Sequence, residues 1–412
     1  MPYEQEYLTI LLKASLTETD LKEDTKAVVG HIDWEKFVQL SWAHKLVSYV
    51  HDPITEEPNV PDSVKKYFAE KTVTVVKQNF RLLFWAKKIL DGLAECGVDA
   101  VLLKGATAAV YFPNILYRKS GDIDILIFDE GQLDAVQSRM KAYSFYKNDK
   151  QSALHHVVFS NAEGIEVEIH TMLAEPFDNM KVNNKLDDLR ADIRESIVLK
   201  DIMGIELPVL REDYQAFELL LHMLQHYLRS GFGVRLLCDW VVFWNSDISD
   251  VAINRYCSLC DEFGVRRFSD MITEICRKKL GLDNNKASEI ILQEKYNSDN
   301  SKLYEGFSEE DIEKYWDEFW NAEEFGKSSS ARMVNLQSVR KRDYIREFHH
   351  QMHLNFPKAG KCPLLWPILW IITLVRFLVN NKKIRKVSLR SVLKSAGDRG
   401  RLNEKLHIFD NI

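Results

Sequence analysis

The chain has 412 residues, of which 46% are hydrophobic and 28% charged, a globular balance with room for two or three domains. Its formal net charge of −6 excludes a protein built to coat nucleic acid, so long nucleic acid is not an expected partner. The six cysteines are scattered and the acidic start precedes no long apolar run, which predicts a cytoplasmic protein without a disulfide framework or secretory signal.

Residues 1–98 are predicted to form an N-terminal helical region. Apolar residues from Leu8 to Leu16 make one stripe, and a second helix is predicted over residues 34–50. A third, long helix should begin after the capping signal Pro61-Asp62-Ser63 and end at Gly97. This helix would deliver the chain directly into a buried strand that starts at Val101.

Residues 99–204 combine strand and helix patterns. Strands are predicted around residues 101–103, 122–127, 143–147, 154–160 and 164–170, with a helix over 130–142. The expected unit is a small mixed β-sheet with helices on one side, which makes the fold class α+β. His155 and His156 fall on one of these strands and receive no role.

Two aspartates stand two positions apart on the second strand. Successive strand side chains point to opposite faces, so Asp122 and Asp124 project from one face while Ile123 and Ile125 enter the core. Two neighbouring carboxylates repel each other unless a cation lies between them. The pair therefore predicts a site for two Mg²⁺ or Mn²⁺ ions that carry a nucleoside triphosphate.

A third acid fits the same plan. The strand over residues 164–170 alternates between apolar and polar residues, and its polar face carries Glu166, Glu168 and His170. If this strand lies beside that of Asp122, one of the two glutamates completes a three-carboxylate metal site. The spacing alone does not choose between them.

The turn after the first strand is a candidate phosphate site. Backbone N–H groups at Gly105 would face phosphate oxygens, and Lys104 would add a point charge. Thr107 could contribute a hydroxyl, and Arg118 could contact the triphosphate. The alternatives are an exposed turn lysine at Lys104 and a loop-ordering salt bridge at Arg118.

These motifs together resemble the nucleotidyltransferase superfamily of the DNA polymerase β type, and within it a poorly characterised bacterial family. The resemblance covers roughly residues 1–245 and rests on Leu103-Lys104-Gly105, Arg118, the stretch from Asp122 to Ile127, and Glu168-Ile169-His170, with a later helix that carries His222, His226, Arg235 and Asp239. One departure is that Lys104-Gly105-Ala106 stands where the wider superfamily has Gly-Ser or Gly-Gly.

The resemblance implies transfer of a nucleoside monophosphate from a nucleoside triphosphate to an acceptor hydroxyl or similar group, with release of pyrophosphate. It favours Glu168 over Glu166 as third ligand, and Glu168 would act as general base. His170 would support a metal-bound carboxylate or make a structural hydrogen bond. The alternatives are a non-catalytic nucleotide- or metal-binding module that works through a partner or membrane surface, and a structural scaffold.

Residues 205–357 are predicted to form a helical domain with helices around 214–228, 234–244, 253–263, 265–280 and 311–321, and loops at 283–285 and 327–330. His222 and His226 share a helix face, but Met223 replaces the glutamate of zinc proteases, which rejects that reading. They either line a cleft near Arg235 and Asp239 or pack in the core. Cys257 and Cys260 are predicted to be small buried residues.

Residues 358–412 change in character. Residues 363–379 are apolar apart from Arg376, and a segment rich in Lys and Arg follows. The run is too short for a transmembrane helix. Either residues 363–394 lie on the inner face of the membrane, with basic residues meeting anionic lipid, or the helix docks on the helical domain with a solvated basic tail.

Overall fold

The computed structural model describes residues 2–20, 24–149, 152, 156–229, 231–291, 306–322, 345, 348–349, 352–353, 356, 362–380, 400–410 and 412. The helices are α1 Tyr3–Thr17, α2 Asp24–Val29, α3 Trp34–Ala43, α4 His51–Glu56, α5 Asp62–Glu95, α6 Gly105–Ala109, α7 Leu133–Ala142, α8 Met180–Asp188, α9 Arg190–Glu195, α10 Glu212–Arg229, α11 Val234–Asn245, α12 Asp250–Glu262, α13 Arg266–Lys279, α14 Asn284–Ile291, α15 Glu309–Ala322 and α16 Trp366–Asn380. The strands are β1 Ala100–Leu103, β2 Ile123–Ile127, β3 Tyr146–Lys147, β4 His156–Ser160, β5 Glu166–His170, β6 Val198–Ile202 and β7 Ile205–Val209.

The strands form one seven-stranded mixed sheet in the order β3-β4-β5-β2-β1-β7-β6. At its centre β2 runs antiparallel to β1 and parallel to β5, and β1 is parallel to β7. Hairpin-type antiparallel pairs, β3 and β4 with β5 on one side and β6 with β7 on the other, complete the edges. This sheet, with helices before and after it, confirms the predicted α+β class.

Helices cover both faces of the sheet, not one face as we predicted. The alternation of β2 explains this, because its odd-numbered isoleucines join a cluster with α5 and α7, whereas Leu126 joins the larger cluster of the N-terminal and C-terminal helices. Val101 and Leu103 of β1 also belong to the larger cluster. Asp124 projects from the same face as Leu126, so the acids point toward the later helices.

Two local predictions need correction. The helix predicted over 34–50 ends at Ala43, because Lys45 adopts φ 57° and the Leu46 amide donates to Ser41 O at 2.9 Å. The loop predicted at 283–285 is the start of α14, since Asp283 Oδ1 accepts from the amides of Asn285 and Lys286.

The β6–β7 hairpin was not predicted, and it crosses the boundary that we placed after residue 204. Its turn has positive φ at both Met203 and Gly204, at 59° and 80°. Hairpin turns of this kind favour asparagine or aspartate at the first position, so a methionine there hides the signal. The sheet therefore continues to Val209.

The chain beyond residue 345 is described in part. Trp370 of α16 donates its indole N–H to His349 Nδ1 at 3.2 Å, and Tyr315 donates to Leu402 O at 2.8 Å. Among the described residues, no helix is both long and apolar enough to cross a membrane. The loop predicted at 327–330 and most of the predicted basic tail, residues 381–399, lie outside the described residues.

Candidate active site

The central strands bring the three predicted acids together. Asp122 directly precedes β2, Asp124 lies within it, and the pairing of β2 with β5 sets Asp124 opposite Glu168. Neighbouring residues of two paired strands project from the same face, so these carboxylates share one end of a cleft. Glu166 lies two positions earlier on β5 and is not among the residues that line the cleft. The geometry thus favours Glu168, the glutamate that the resemblance selects.

Lys104 adopts an unusual backbone. It follows β1 with φ 47° and ψ −120°, a conformation that side chains with a Cβ rarely adopt and that costs on the order of 1–3 kcal/mol. In this conformation Lys104 Nζ lies 3.0 Å from Asp124 Oδ1. The predicted phosphate lysine therefore contacts a predicted metal ligand in this structure.

The same carboxylate oxygen has a second partner. His170 Nε2 lies 2.8 Å from Asp124 Oδ1 and 3.4 Å from Glu168 Oε2. Burial and Lys104 lower the pKa of His170, but the hydrogen bonds to Asp124 and Glu168 outweigh them and the pKa is raised. His170 thus links two of the three acids, as a support for a metal-bound carboxylate would.

The two aspartates titrate in opposite directions. Burial, together with the charges of Asp124 and Glu168, raises the pKa of Asp122 to about 7. Burial also acts on Asp124, but Lys104 and His170 outweigh it and lower the pKa of that carboxyl. The hydrogen bond from His170 lowers the pKa of Glu168. At Asp122, burial and the neighbouring carboxylates therefore outweigh the nearby cations.

Helix α10 forms the facing wall of the cleft. Glu218, His222 and His226 repeat every four residues, so they share one helix face, and all three line the cleft. His226 Nε2 lies 2.9 Å from His222 Nε2. Burial and the charges of Lys104 and Arg235 lower the pKa of His226 to about 4, so this pair is neutral near pH 7. Of the two alternatives predicted for these histidines, the structure matches the one in which they line a cleft.

Sequence reasoning missed Glu218. Its side chain is only 2% exposed, its Oε1 has no hydrogen-bond partner among the described residues, and burial raises its pKa to about 7. The signal that could have found it is the spacing, because Glu218 stands one helical turn before His222 on the same face. A buried carboxyl oxygen without a hydrogen-bond partner costs free energy, which makes Glu218 a candidate for ligand binding.

His156 was also missed. It pairs with His170 across β4 and β5, and one ligand atom each from His156, Glu168 and His170 lie within 4.8 Å of one another. Two imidazoles and a carboxylate could hold a metal ion. The signal in the sequence was the alternation of β4, which places His156 on the face of the acids.

Two other predicted residues have structural partners. The Arg118 guanidinium donates to both carboxylate oxygens of Asp239, at 3.0 and 2.8 Å, and to Ser120 Oγ at 3.0 Å. Thr107 donates its hydroxyl to Lys104 O at 2.7 Å and does not line the cleft. Arg118 thus forms the loop-ordering salt bridge that we weighed as its alternative, and Thr107 steadies the Lys104 turn.

Further cationic side chains, Arg229 and Arg235, line the cleft. Gly105 and Arg235 line the cleft, and Arg235 Nη1 lies 3.4 Å from Lys119 O. Arg229 pairs with Glu175 at its rim. The cleft has a volume of about 440 Å³, which suits a small-molecule ligand.

Cys257 and Cys260 are buried free thiols in the helical part, away from the cleft.

The chain belongs to a family of uncharacterised nucleotidyltransferases, whose family model matches residues 30–281. Family membership confirms the resemblance drawn from the motifs. A similar solved structure is an antigenic nucleotidyltransferase-like protein from Paracoccidioides brasiliensis, with 13% identity over 49% of this chain and 93% of that chain and a TM-score of 0.29. No curated protein matches the chain.

Proposed function

We propose that this protein transfers a nucleoside monophosphate from a nucleoside triphosphate to an acceptor hydroxyl or similar group and releases pyrophosphate, in a reaction that depends on Mg²⁺ or Mn²⁺. The observation that carries the proposal is the convergence of Asp122, Asp124 and Glu168 at one end of a cleft within a nucleotidyltransferase fold. Phosphoryl-type transfer needs charge neutralisation and positioning more than covalent chemistry, and this cleft offers both.

The donor set fits a hard divalent cation. Carboxylate oxygens are the ligands that Mg²⁺ and Mn²⁺ prefer. Burial, together with the charges of Asp124 and Glu168, raises the pKa of Asp122, and a bound cation would offset both causes. When bound, such ions would neutralise the triphosphate and activate the attacking hydroxyl. Asp122, Asp124 and Glu168 are the proposed ligands. The two-ion form that we predicted requires Lys104 to leave Asp124 Oδ1, its partner at 3.0 Å.

Cationic side chains would bind the triphosphate. Lys104, once released from Asp124, is long enough to reach a phosphate, and Arg235 lines the same cleft. Gly105 brings backbone close to the ligand. Arg118 acts indirectly, because its salt bridge with Asp239 holds the loop that precedes Asp122, and the Asn79 amide donates to Arg118 O in that loop at 2.8 Å. ATP is the first nucleotide to test.

The α10 wall would select the acceptor. Glu218 Oε1 needs a donor, and the cleft already contains several carboxylates, so a neutral group with O–H or N–H donors is favoured over an anion. The neutral His222 and His226 pair adds polar groups without charge. An acceptor placed here would face Lys104, the residue proposed to bind phosphate.

Calorimetric titration of each nucleoside triphosphate, with and without Mg²⁺, tests the proposal. Wild type should bind in a metal-dependent way, and the Asp122→Asn/Asp124→Asn double variant should not. Glu166→Gln is the matched control, since Glu166 lies on the same strand as Glu168 but outside the cleft. Unchanged binding by the double variant would refute the site. Metal-dependent binding without pyrophosphate release, with acceptors supplied as a cell extract, would instead identify a non-catalytic binding module.

A further inference from the structure

Helix α16 presents two different faces. On one face Leu369 and Thr373 are buried, and the rings of Trp366 and Trp370 pack against His349. The Trp370 indole N–H also donates to His349 Nδ1 at 3.2 Å. This face of the helix therefore lies against His349.

The opposite face is apolar and exposed. Ile368 and Ile371 are 58% and 64% exposed, and Ile372 and Val375 are exposed beside them. These four positions follow the i, i+3, i+4, i+7 spacing of a single helix face. Leu364 and Leu365, in the turn before the helix, extend the same exposed apolar surface. Contiguous apolar surface of this kind marks a binding site.

The described part of α16 is shorter than a bilayer core. Its 15 residues span about 22 Å at 1.5 Å per residue, whereas a bilayer core is about 30 Å thick. One of its faces is also occupied by the contact with His349. An apolar face on a docked helix can enter the headgroup and acyl boundary of a bilayer while the helix lies parallel to the surface.

The sequence that follows indicates which surface would bind. Residues 381–401 contain eight basic residues and one acidic residue, Asp398, in a chain with a net charge of −6: Lys382, Lys383, Arg385, Lys386, Arg390, Lys394, Arg399 and Arg401. Anionic lipid attracts such a segment directly beside an apolar helix face. A second copy of the chain would instead bring two basic segments together, which repel each other. Charge complementarity therefore favours an anionic bilayer over self-association.

We propose that the exposed face of α16, formed by Ile368, Ile371, Ile372 and Val375, binds the surface of an anionic lipid bilayer. The full-length protein should float with phosphatidylcholine vesicles that contain about 30% phosphatidylserine, and far less with phosphatidylcholine alone. Ile368→Glu/Ile371→Glu should reduce the partition coefficient by about tenfold or more, because each buried aliphatic side chain contributes on that scale.

A matched double variant provides the control. Val73→Glu/Val251→Glu introduces the same charge at two exposed valines on α5 and α12, so it should float as wild type does. Circular dichroism should show the same helix content for both variants, because all four positions are exposed. Failure of wild type to float with anionic vesicles, or equal flotation of the α16 variant, would overturn the proposal. So would a wild-type dimer in light scattering that the α16 variant loses without any flotation by wild type.

Discussion

Two ion pairs beside the cleft, Arg118 with Asp239 and Lys104 with Asp124, differ in their geometry. Arg118 and Asp239 satisfy each other with two hydrogen bonds, and their side chains are 5% and 2% exposed. Lys104 contacts Asp124 through a single oxygen, which His170 shares, and the lysine is 20% exposed toward the cleft. The first pair uses both oxygens of its carboxylate, whereas the second concentrates its contacts on one.

The two pairs differ in how readily the cation can change its partner. A bidentate, buried arginine pair is rigid, and its charges are balanced within it. A lysine is a point charge on a flexible stem, so it can exchange one anionic partner for another. The carboxylates around Lys104, namely Asp124, Glu168 and Glu218, outnumber it, in keeping with the proposed cation site. Under the proposed function, Arg118 holds the loop and Lys104 binds the ligand.

Removal of the shared carboxylate should give the largest effect. Asp124→Asn should lower nucleotidyl transfer by about a thousandfold or more, since about 4 kcal/mol of metal-dependent stabilisation of the transition state is lost. Stability should change less, because Glu218 and Glu168 still offset the charge of Lys104. Pyrophosphate release at saturating nucleotide and metal measures the first effect, and urea unfolding the second. Turnover at the wild-type rate would contradict the assignment of Asp124.

Removal of the other carboxylate should act on stability first. Asp239→Asn leaves Arg118 buried without a counter-charge, which should cost about 3 kcal/mol or more. Chemical denaturation, read by tryptophan fluorescence, gives the free energy of unfolding. At a temperature where the variant remains folded, it should still bind a divalent ion, because its carboxylate site is intact. A wild-type unfolding midpoint would show that the two pairs do not differ in the way we describe.

The sequence predicted the acids better than their partners. The alternation of β2 places Asp122 and Asp124 on one face, because strand periodicity fixes the side on which a residue lies. The third acid depended on the condition that its strand lies beside β2, and the pairing of β2 with β5 meets that condition. It could not show that Arg118 reaches Asp239, since the two are separated by 121 positions and meet only through packing. Nor could it show the positive φ of Lys104, because positive φ is usually signalled by a glycine and this position is a lysine.

The residues of α10 that line the cleft were predicted only in part, because packing between distant elements decided the rest. His222 and His226 stood out as residue types, whereas Glu218 on the same face looked like an ordinary helix glutamate. Only the packing of α10 across the sheet reveals that this carboxyl is buried without a hydrogen-bond partner at Oε1. Burial by a distant element is a tertiary property, and local periodicity does not encode it.

Replacement of the lysine should move two affinities in opposite directions. Lys104→Ala removes the cation that competes for Asp124, so a divalent ion alone should bind about tenfold more tightly. The same variant should bind the nucleoside triphosphate more weakly, because a phosphate partner is lost. Calorimetry with Mn²⁺ alone and then with nucleotide separates the two effects. Lys87→Ala, which removes a remote surface charge paired with Asp91, serves as the control and should change neither affinity.

The pH dependence of metal binding should give the smallest of these effects. Because the pKa of Asp122 is raised to about 7, a proton competes with the metal below that pH, and affinity should fall by at most about tenfold per pH unit. In the metal-free protein, the folded-state pKa lies above the ordinary value, so stability from this group is lost as pH rises toward about 7. Glu218 has a pKa raised to about 7 as well, so Asp122→Asn should reduce this slope without abolishing it. Calorimetric Mn²⁺ titrations and urea unfolding over a pH series measure both, and a metal affinity that does not change with pH would contradict the role of Asp122.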